Sequence, residues 1–419
     1  MTTTGTPPAS PKVLDETGSL SGAFQDYLSK LRGGDVGALP AVLGLVVLVS
    51  FFTIMRPSSF ANLFNAANLL NQSAAVIFIA MGLVFVLLLG EIDLSAGFTA
   101  GTAAAVLAVL SSQHGVAWPI AVVGCLATGA VIGLLIGLLV ARLGIPSFVV
   151  TLALFLGLQG VMLLVIGEGG TIRIHDDTIL AIMNKNLSPL LSWALFLVVV
   201  GGFALLQLVS MRRRRAAGVT TGSTEVVVAK IVVLAVMLGV ATFALNRERA
   251  VNPALASIKG IPVIVPFTIL FVVGLTFVLN RTAFGRHMYA VCGNAEAARR
   301  AGINVNTIKI ASFVISSTMA AIAGILFASR DNSVSPQTGG STTLLVAVAA
   351  AVIGGTSLFG GKGRVIDAIL GGLVIAVINN GLPLITQKAG IQFIVTAGVL
   401  LLAASVDAIA RRQAAASGR

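Results

Sequence analysis

The sequence predicts an all-α protein, a polytopic transmembrane bundle of about ten to twelve helices. Three observations lead to this fold class. The 419-residue chain has a mean hydropathy of +1.01, and only 10% of its residues are charged. Soluble domains carry about 25% charged residues, so most of this chain cannot face water. The apolar runs are continuous and long enough to cross a bilayer, whereas a membrane β-barrel would show alternating strands of about ten residues.

Twelve apolar runs are the predicted spans. Most approach the roughly 20 residues that a crossing helix needs, although one run, 96–111, is short for a full crossing. A polar segment rich in Pro, Ser and Thr comes first, and we predict that residues 1–38 form a disordered cytoplasmic tail. Residues 39–410 then form the transmembrane domain, and residues 411–419 form a second cytoplasmic tail. In chain order, the predicted spans cover residues 39–55, 68–89, 96–111, 117–141, 147–166, 189–209, 226–245, 261–280, 309–328, 341–360, 365–385 and 391–409.

The positions of the basic residues predict the orientation of the chain. The formal net charge is +12, from 27 Lys and Arg against 15 Asp and Glu. When both termini are placed in the cytoplasm, most of the basic residues fall in loops on the cytoplasmic side, as the positive-inside rule requires. With only two Trp and two Tyr in the chain, no basic face rich in aromatic residues suggests nucleic-acid binding.

Two pairs of segments suggest a weak internal two-fold repeat. Residues 87–97 resemble residues 352–363, and residues 144–156 resemble residues 390–402. Internal repeats of this kind are common in transporters. A count of twelve spans gives the second pair opposite orientations, so either the repeat is inverted there or one short run is re-entrant. The candidates for a re-entrant run are residues 96–111 and part of 361–386.

A polar and basic segment, residues 281–309, interrupts the apolar runs and contains a short predicted helix. Asn294 is a suitable N-cap, and Gly302 can take the left-handed position after the helix. Glu296 in the first turn and Arg299 in the last turn both match the helix dipole. A helix of this length is not stable alone, so we expect a docking partner. The alternative is a solvated connector between two spans.

Neither the His nor the Cys residues suggest a metal site or a disulfide. Cys125 lies in an apolar run, Cys292 lies in the polar segment, and the three His have no ligand-like spacing. The glycine-rich residues 354–363 do not form a phosphate loop of the pattern G-x-x-x-x-G-K-[ST]. Thr356 stands where the first glycine should be, and Lys362 is followed by another glycine. We therefore predict no metal, no cofactor and no enzymatic activity in this chain.

Two acids, Glu91 and Asp93, follow an apolar run of about twenty residues. A carboxylate at the bilayer centre costs roughly 2.5–3.5 kcal/mol, so burial there would require water, a partner or a function. One interpretation makes both acids gating groups near a helix break. The other places them at the membrane interface, with Asp93 or Ser95 capping the next helix. The length of the preceding run favours the interface.

Residues 285–309 of the polar segment, with the sequence GRHMYAVCGNAEAARRAGINVNTIK, resemble the cytoplasmic coupling loop of permease subunits from bacterial ATP-binding cassette (ABC) importers of monosaccharides, the ribose and xylose type. Cys292 departs from the family's pattern, in which a glycine is more usual. Residues 90–97, 144–153 and 353–371 resemble the same family, and the insert at 212–215 is most similar to the xylose branch. The matching positions of the coupling loop are Gly285, Arg286, Tyr289, Ala290, Gly293, Asn294, Glu296, Ala297, Ala298, Arg299, Gly302 and Ile303.

The resemblance implies a membrane subunit that carries a monosaccharide, a pentose such as xylose or ribose, into the cytoplasm. Two permease copies would form the pathway within the lipid bilayer of the bacterial inner membrane. Two ABC ATPase subunits would bind the coupling loops, and an extracytoplasmic sugar-binding protein would deliver the substrate. The residues implied in coupling to the ATPase are Gly285, Arg286, Gly293, Asn294, Glu296, Ala297, Ala298, Arg299 and Gly302.

An ion-coupled secondary transporter of a small polar solute is the alternative function. Such a transporter would need ionisable residues buried within the spans, and the sequence has almost none apart from Lys230 and Asp367.

Neutral polar side chains within the spans are candidates for lining the pathway, because amides and hydroxyls can hydrogen-bond an uncharged sugar. Such groups also bond neighbouring helices, so helix packing is the competing role for each of them. The pair before Gly381 and Pro383 is the strongest candidate, since broken helices mark transport sites. The candidates are Asn71, Gln72, Thr151, Gln159, Asn379 and Asn380.

Overall fold

The computed structural model describes residues 39–218, 224–250, 257–399, 401 and 405. The tails predicted at residues 1–38 and 411–419 lie outside the described residues. Helices follow the predicted spans throughout the described part, and the polytopic helical bundle is confirmed. The helices are α1 (Leu39–Met55), α2 (Pro57–Phe60), α3 (Leu63–Leu88), α4 (Ala96–Ala108), α5 (Trp118–Ala141), α6 (Ser147–Ile166), α7 (Asp177–Asn184), α8 (Pro189–Ala216), α9 (Thr224–Leu245), α10 (Ile264–Arg281), α11 (Ala283–Gly293), α12 (Ala295–Arg300), α13 (Val305–Asp331), α14 (Ser341–Gly354), α15 (Val365–Ile385) and α16 (Ala389–Val399).

Within the described ranges, nine helices are long and apolar enough to cross a membrane, and three apolar helices are shorter. A π-helical turn, Val109–Gln113, extends α4 to a crossing length of 18 residues. Both candidates for a re-entrant run are thus long enough to cross, since the region of α15 forms a helix of 21 residues. The shorter apolar helices are α1, α14 and α16.

Helix α13 lies at the centre of the bundle and packs against α3, α4 and α5. Helix α5 approaches it closely because Gly129, Gly133 and Gly137 face it at four-residue intervals. A β-carbon at Gly133 would lie 2.5 Å from the carbonyl oxygen of Phe313, and one at Gly129 would lie 2.6 Å from that of Ser317. Small residues at this spacing let two membrane helices pack backbone to backbone.

The bundle has two ends, which we name after the short helices they carry. The α12 end holds α11 and α12, the loop between α3 and α4, and the loop between α14 and α15. The α7 end holds α7 and a two-residue antiparallel pair, β1 (Ile172–Arg173) with β2 (Ser333–Val334). Helix α7 is fixed to the last turn of α13, since the Asn184 side-chain amide donates to the carbonyl oxygen of Ser329 at 2.8 Å.

The short helix α14 begins inside the bundle. After β2 the chain turns back, so that the carbonyl oxygens of Gly339 and Thr338 pack against Gly97 and Gly101, in the first half of α4. Helix α14 has 14 residues, or about 21 Å, and it does not cross a hydrocarbon core of about 30 Å. A full span at 341–360 was therefore the wrong expectation, because Gly355, at φ +121°, ends the helix early.

The two pairs of similar segments are arranged differently in the bundle. Gly360 lies against Gly90 and the carbonyl oxygen of Leu88, so the first two segments touch each other at the α12 end. In the second pair, α6 begins at the α12 end, whereas α16 begins at the α7 end. These two helices therefore run in opposite directions through the bundle. The two-fold repeat itself stays a prediction.

Candidate functional site

A cavity of about 560 Å³ lies between α3, α13, α14, α15 and α16. Its walls come from the first half of α3, the end of α13, the first turns of α14 and α16, and the middle and second half of α15. These parts place it towards the α7 end, away from α11 and α12. The lining residues are Asn68, Gln72, Ser73, Val76, Phe327, Arg330, Thr342, Thr343, Val346, Gly372, Ile375, Ala376, Asn379, Gln392, Phe393 and Thr396.

The cavity wall is mainly neutral and mixes hydrogen-bonding groups with apolar surface. Its cation, Arg330, is paired with the adjacent Asp331, with 2.9 Å between Nε and Oδ1, and its guanidinium lies 5.4 Å from the centre of the Phe327 ring. Phe327 and Phe393 both line the cavity. The cavity therefore offers hydroxyls, amides and aromatic surface. The positive charge of Arg330 is already balanced by Asp331.

An amide network fixes one side of the cavity. Asn380 and Asn65 exchange two hydrogen bonds of 2.9 Å between their side chains, and Asn380 also donates to Gln72 at 3.3 Å. The Asn65 amide group donates further to the carbonyl oxygen of Phe60, at 3.1 Å. This network joins α3 to α15 and holds the Gln72 side chain where it meets the cavity.

The six predicted pathway residues fall into three groups. Gln72 and Asn379 line the cavity. Asn380 does not line it, but it donates a hydrogen bond to the Gln72 side chain. Thr151 is fully buried, donates to the backbone carbonyl oxygens of Ser147 and Ile92, and does not line the cavity. Asn71 and Gln159 are not among the lining residues, and Gln159 is exposed on α6.

Several lining residues were missed by the sequence interpretation. Thr342 and Thr343 come from the first turn of α14, and Gln392 and Thr396 come from α16. The four-residue spacing of Gln392 and Thr396 in an apolar run is a sequence signal for one polar helix face. No comparable signal marked Thr342 and Thr343, because their position depends on α14 beginning inside the bundle.

At the α12 end, the short helix predicted after Asn294 is present. The Asn294 side chain accepts a hydrogen bond from the backbone amide of Ala297 at 2.9 Å, and Gly302 has φ +84°. Glu296 and Arg299 are exposed and form an ion pair of 2.6 Å. Ala298 is only 4% exposed and faces the bundle, so the opposite surface of α12 is free for contact with another molecule.

The other predicted coupling residues lie in and around α11. Gly285 is buried in its first turn, where a β-carbon would collide with the carbonyl oxygen of Leu279. Arg286 is exposed, as are Gly293 and Ala297. The structure therefore gives Gly285 a packing reason for its residue type and leaves Arg286 available to a partner.

Glu91 and Asp93 have different surroundings. Glu91 forms an ion pair of 2.5 Å with Lys309, near the start of α13. Asp93 is 1% exposed, and it accepts hydrogen bonds from the Ser95 amide and hydroxyl and from the Ser316 hydroxyl. Asp93 is therefore held inside the protein by the start of α4 and by α13, and Ser95 makes no side-chain cap on α4. Asp93 is buried because α4 begins against the middle of α13, which hydropathy could not reveal.

Comparisons with known proteins identify the family. A family profile described as the permease component of the branched-chain amino acid transport system matches residues 65–404. The chain is 34% identical to the xylose transport system permease protein of Escherichia coli K12, over 94% of this chain and 96% of that protein. It is 32% identical to the xylose transport system permease protein of Haemophilus influenzae, over 90% of this chain and 98% of that protein. It is also 32% identical to the ribose import permease protein of Escherichia coli K12, over 88% and 92% of the two chains.

No solved structure matches the chain. The resemblance to ribose and xylose permeases is nevertheless confirmed by sequence relatives that cover nearly the whole chain. Such permeases are transport components rather than enzymes, and the apolar helices make this one a multi-pass protein of the inner membrane. The chain belongs to the family of transport-system permease components that includes the xylose and ribose permeases.

Proposed function

We propose that the chain is the permease subunit of an ABC importer that carries a monosaccharide, a pentose such as xylose or ribose, into the cytoplasm. One observation supports this most directly: a neutral, hydroxyl- and amide-lined cavity at one end of the bundle stands opposite an exposed, capped helix at the other. The first feature suits an uncharged polar solute, and the second suits a partner that supplies energy.

The lining of the cavity matches the chemistry of a sugar. Its volume of about 560 Å³ is within the usual range for small-molecule sites, roughly 300–1,000 Å³. Amide groups of Asn68, Gln72 and Asn379 can both donate to and accept from hydroxyls. The Thr342 and Thr343 hydroxyls lie beside them, at the N-terminal turn of α14. A broken helix whose N-terminus opens into a cavity is typical of transporter binding sites.

The two ends of the bundle suggest the orientation and the partners. Arg212–Arg215, at the end of α8, lie at the α12 end with α11 and α12, as the positive-inside rule requires of the cytoplasmic side. We place the ATPase subunits on α12 there, and both termini in the cytoplasm. An extracytoplasmic sugar-binding protein would dock at the α7 end, and a second permease copy would complete the complex in the lipid bilayer.

Uptake by purified components in liposomes tests this function. We expect accumulation of radiolabelled xylose or ribose only when the chain, its ATPase subunit, the sugar-binding protein and ATP are all present. Omission of ATP serves as the control for passive leakage. Accumulation driven by a proton or sodium gradient, by this chain alone, would contradict the proposal and favour a secondary transporter.

A further inference from the structure

The last turns of α11 contact two other segments at the α12 end. The Cys292 thiol donates a hydrogen bond to the carbonyl oxygen of Leu88, the last residue of α3, at 2.7 Å, and accepts one from the Gly361 amide at 3.1 Å. The Tyr289 hydroxyl donates to the carbonyl oxygen of Gly363 at 3.2 Å. Residues three apart share one helix face, so both side chains reach the same loop. We call this loop, residues 357–363, the glycine turn.

The glycine turn is shaped to fit against the end of α3. Gly360 has φ +82°, and a β-carbon there would lie 3.0 Å from both the carbonyl oxygen of Leu88 and the amide of Gly90. The Gly361 amide is shared between the carbonyl oxygen of Leu88, at 3.2 Å, and the Cys292 sulfur. The end of α3, the glycine turn and α11 therefore meet at one point, where Cys292 of α11 contacts both of the other segments.

The glycine turn is joined firmly to α15. The backbone amide of Arg364 donates to the Asp367 carboxylate at 2.9 Å, and the Arg364 guanidinium donates to it at 2.9 Å and 3.1 Å. Helices α14 and α15 are in turn packed backbone to backbone, because a β-carbon at Gly371 would collide with the carbonyl oxygen of Ala350. A displacement of the turn must therefore carry α14 and α15 with it.

Both of these helices line the cavity at their other ends, through Thr342 and Thr343 on α14 and Asn379 on α15. A contact route thus runs from α11 through the glycine turn to the cavity. It is separate from the covalent route, in which α12 leads through residues 301–304 into α13.

We propose that Tyr289 and Cys292 are positioning residues that transmit movement of the coupling helices α11 and α12 to the cavity through the glycine turn. This inference rests on the proposed function, because it requires a partner that moves α12. The thiol suits the role, since burial raises the pKa of Cys292 and keeps it protonated as a donor. Burial likewise raises the pKa of the Tyr289 hydroxyl.

The first experiment measures coupling between ATP hydrolysis and uptake. Variants Tyr289→Phe, Cys292→Ala and the double variant remove the contacts without altering the exposed surface of α12. We expect the double variant to bind the ATPase subunit within about twofold of the unchanged chain, while sugar transported per ATP hydrolysed falls about fivefold or more, as three lost hydrogen bonds allow. Cys292→Ser, which can still donate and accept, should retain most of the coupling. Cys125→Ser is the matched control, since it alters a thiol inside α5, away from the turn.

Unchanged transport per ATP in the double variant overturns the inference. So does a loss of ATPase binding as large as the loss of transport, because the two residues would then act on docking. Thermal unfolding of each variant, in detergent, separates these results from misfolding. A double variant that unfolds too early is replaced by the two single variants, each expected to lose about twofold or more in transport per ATP.

A second measurement needs no sugar, so it distinguishes failure of this inference from failure of the proposed function. Hydrogen–deuterium exchange is followed in peptides covering residues 357–363, with and without the ATPase subunit and a non-hydrolysable ATP analogue. In the unchanged chain we expect the added components to alter exchange in the turn about threefold or more, and in the double variant we expect no change. If exchange in the glycine turn changes but no sugar is taken up, the inference is supported and the proposed substrate is contradicted. Uptake without any response of the turn would overturn the inference.

Discussion

At the scale of single residues, Asn379 and Asn380 are neighbours in the sequence but belong to different environments. Asn379 is exposed to the cavity, whereas Asn380 is held by two side chains of α3, Asn65 and Gln72. Sequence alone marked both as polar residues near a helix break, and it could not separate them. The separation follows from the direction in which each side chain leaves α15, which only the packing of that helix against α3 determines.

Replacing these two asparagines by leucine should therefore have different effects. Asn380→Leu leaves the Asn65 and Gln72 amides without their partner, which should destabilise the protein by about 1–3 kcal/mol. Asn379→Leu should leave the melting temperature nearly unchanged and impair uptake, because it removes a hydrogen-bonding group from the cavity. Thermal unfolding and liposome uptake of both variants check the expectation. Equal losses of stability in the two variants would contradict it.

The ion pair between Glu91 and Lys309 gives a second prediction for single residues. It joins the loop after α3 to the start of α13, and both side chains are partly exposed. Lys309→Met should lower stability by about 1 kcal/mol, at the upper end for pairs near a surface. The exchanged pair Glu91→Lys with Lys309→Glu should recover part of the loss. A double-mutant cycle measured by thermal unfolding gives the interaction energy of the two side chains. An interaction energy of zero would show that the ion pair does not stabilise the protein.

At the scale of elements, the glycines of α5 decide how near it comes to α13. Gly133→Leu would place a side chain against the backbone of Phe313, and the forced separation should cost about 1–3 kcal/mol or more. Gly157→Leu on α6 is a matched control, because a β-carbon there meets nothing within 4 Å. Thermal unfolding of the two variants should show a clear loss only for Gly133→Leu. An equal loss in both would point to helix propensity or insertion instead of packing.

Deleting residues 294–302 tests the short helix α12 as a docking element. The deleted chain should still insert, because its spans are intact, but it should lose association with the ATPase subunit. Replacing Glu296 by lysine should weaken association, since the charge lies on the exposed surface of α12. Co-purification measures both effects, with membrane insertion as the control. Recovery of the ATPase at full strength by the deleted chain would show that α12 is only a connector.

Element positions were largely predictable, and the exceptions have physical causes. In the part of the chain that the structure describes, the predicted apolar runs lie on helices, although α14 ends at Gly354, because bilayer-length hydrophobicity is a property of the sequence itself. The capped helix after Asn294 was also predictable, since its caps are local. The early start of α3 at Leu63 was missed, because its first turns contain Asn65 and Asn68, which hydropathy counts as polar. The interior start of α14 depends on contacts with Gly97 and Gly101, far away in the sequence.

At the scale of the whole molecule, the orientation in the membrane is open to a direct test. Arg214→Cys at the α12 end and Lys259→Cys at the α7 end are each placed in a chain carrying Cys125→Ser and Cys292→Ser. In intact cells, a membrane-impermeant maleimide should label the cysteine at 259 and label that at 214 only after the membrane is opened. Labelling in the reverse order would place α12 outside the cell and remove the ATPase site.

Function at this scale could be predicted only in part. The coupling segment and the family were readable from motifs spread along the chain, and the comparisons confirm the family. The cavity was not readable, because its wall is assembled from five helices that are distant in the sequence. Gln72 and Asn379 were among the predicted residues, but Thr342, Gln392 and Thr396 became visible only when the helices were placed together.

The exposure of the helical hairpin α8–α9 affects which lipids should be chosen for reconstitution. Almost none of the residues described in these two helices are buried, and the small cluster of Ala67, Leu245 and Ile261 attaches the hairpin to the rest of the protein. We therefore expect acyl chains to surround it on most sides and its tilt to follow the thickness of the host bilayer. Helix α8 is 28 residues long, about 42 Å. We expect it to tilt more from the membrane normal in a thin bilayer than in a thick one. Lipid chain length thus becomes a variable to be fixed when the rates of different reconstitutions are compared.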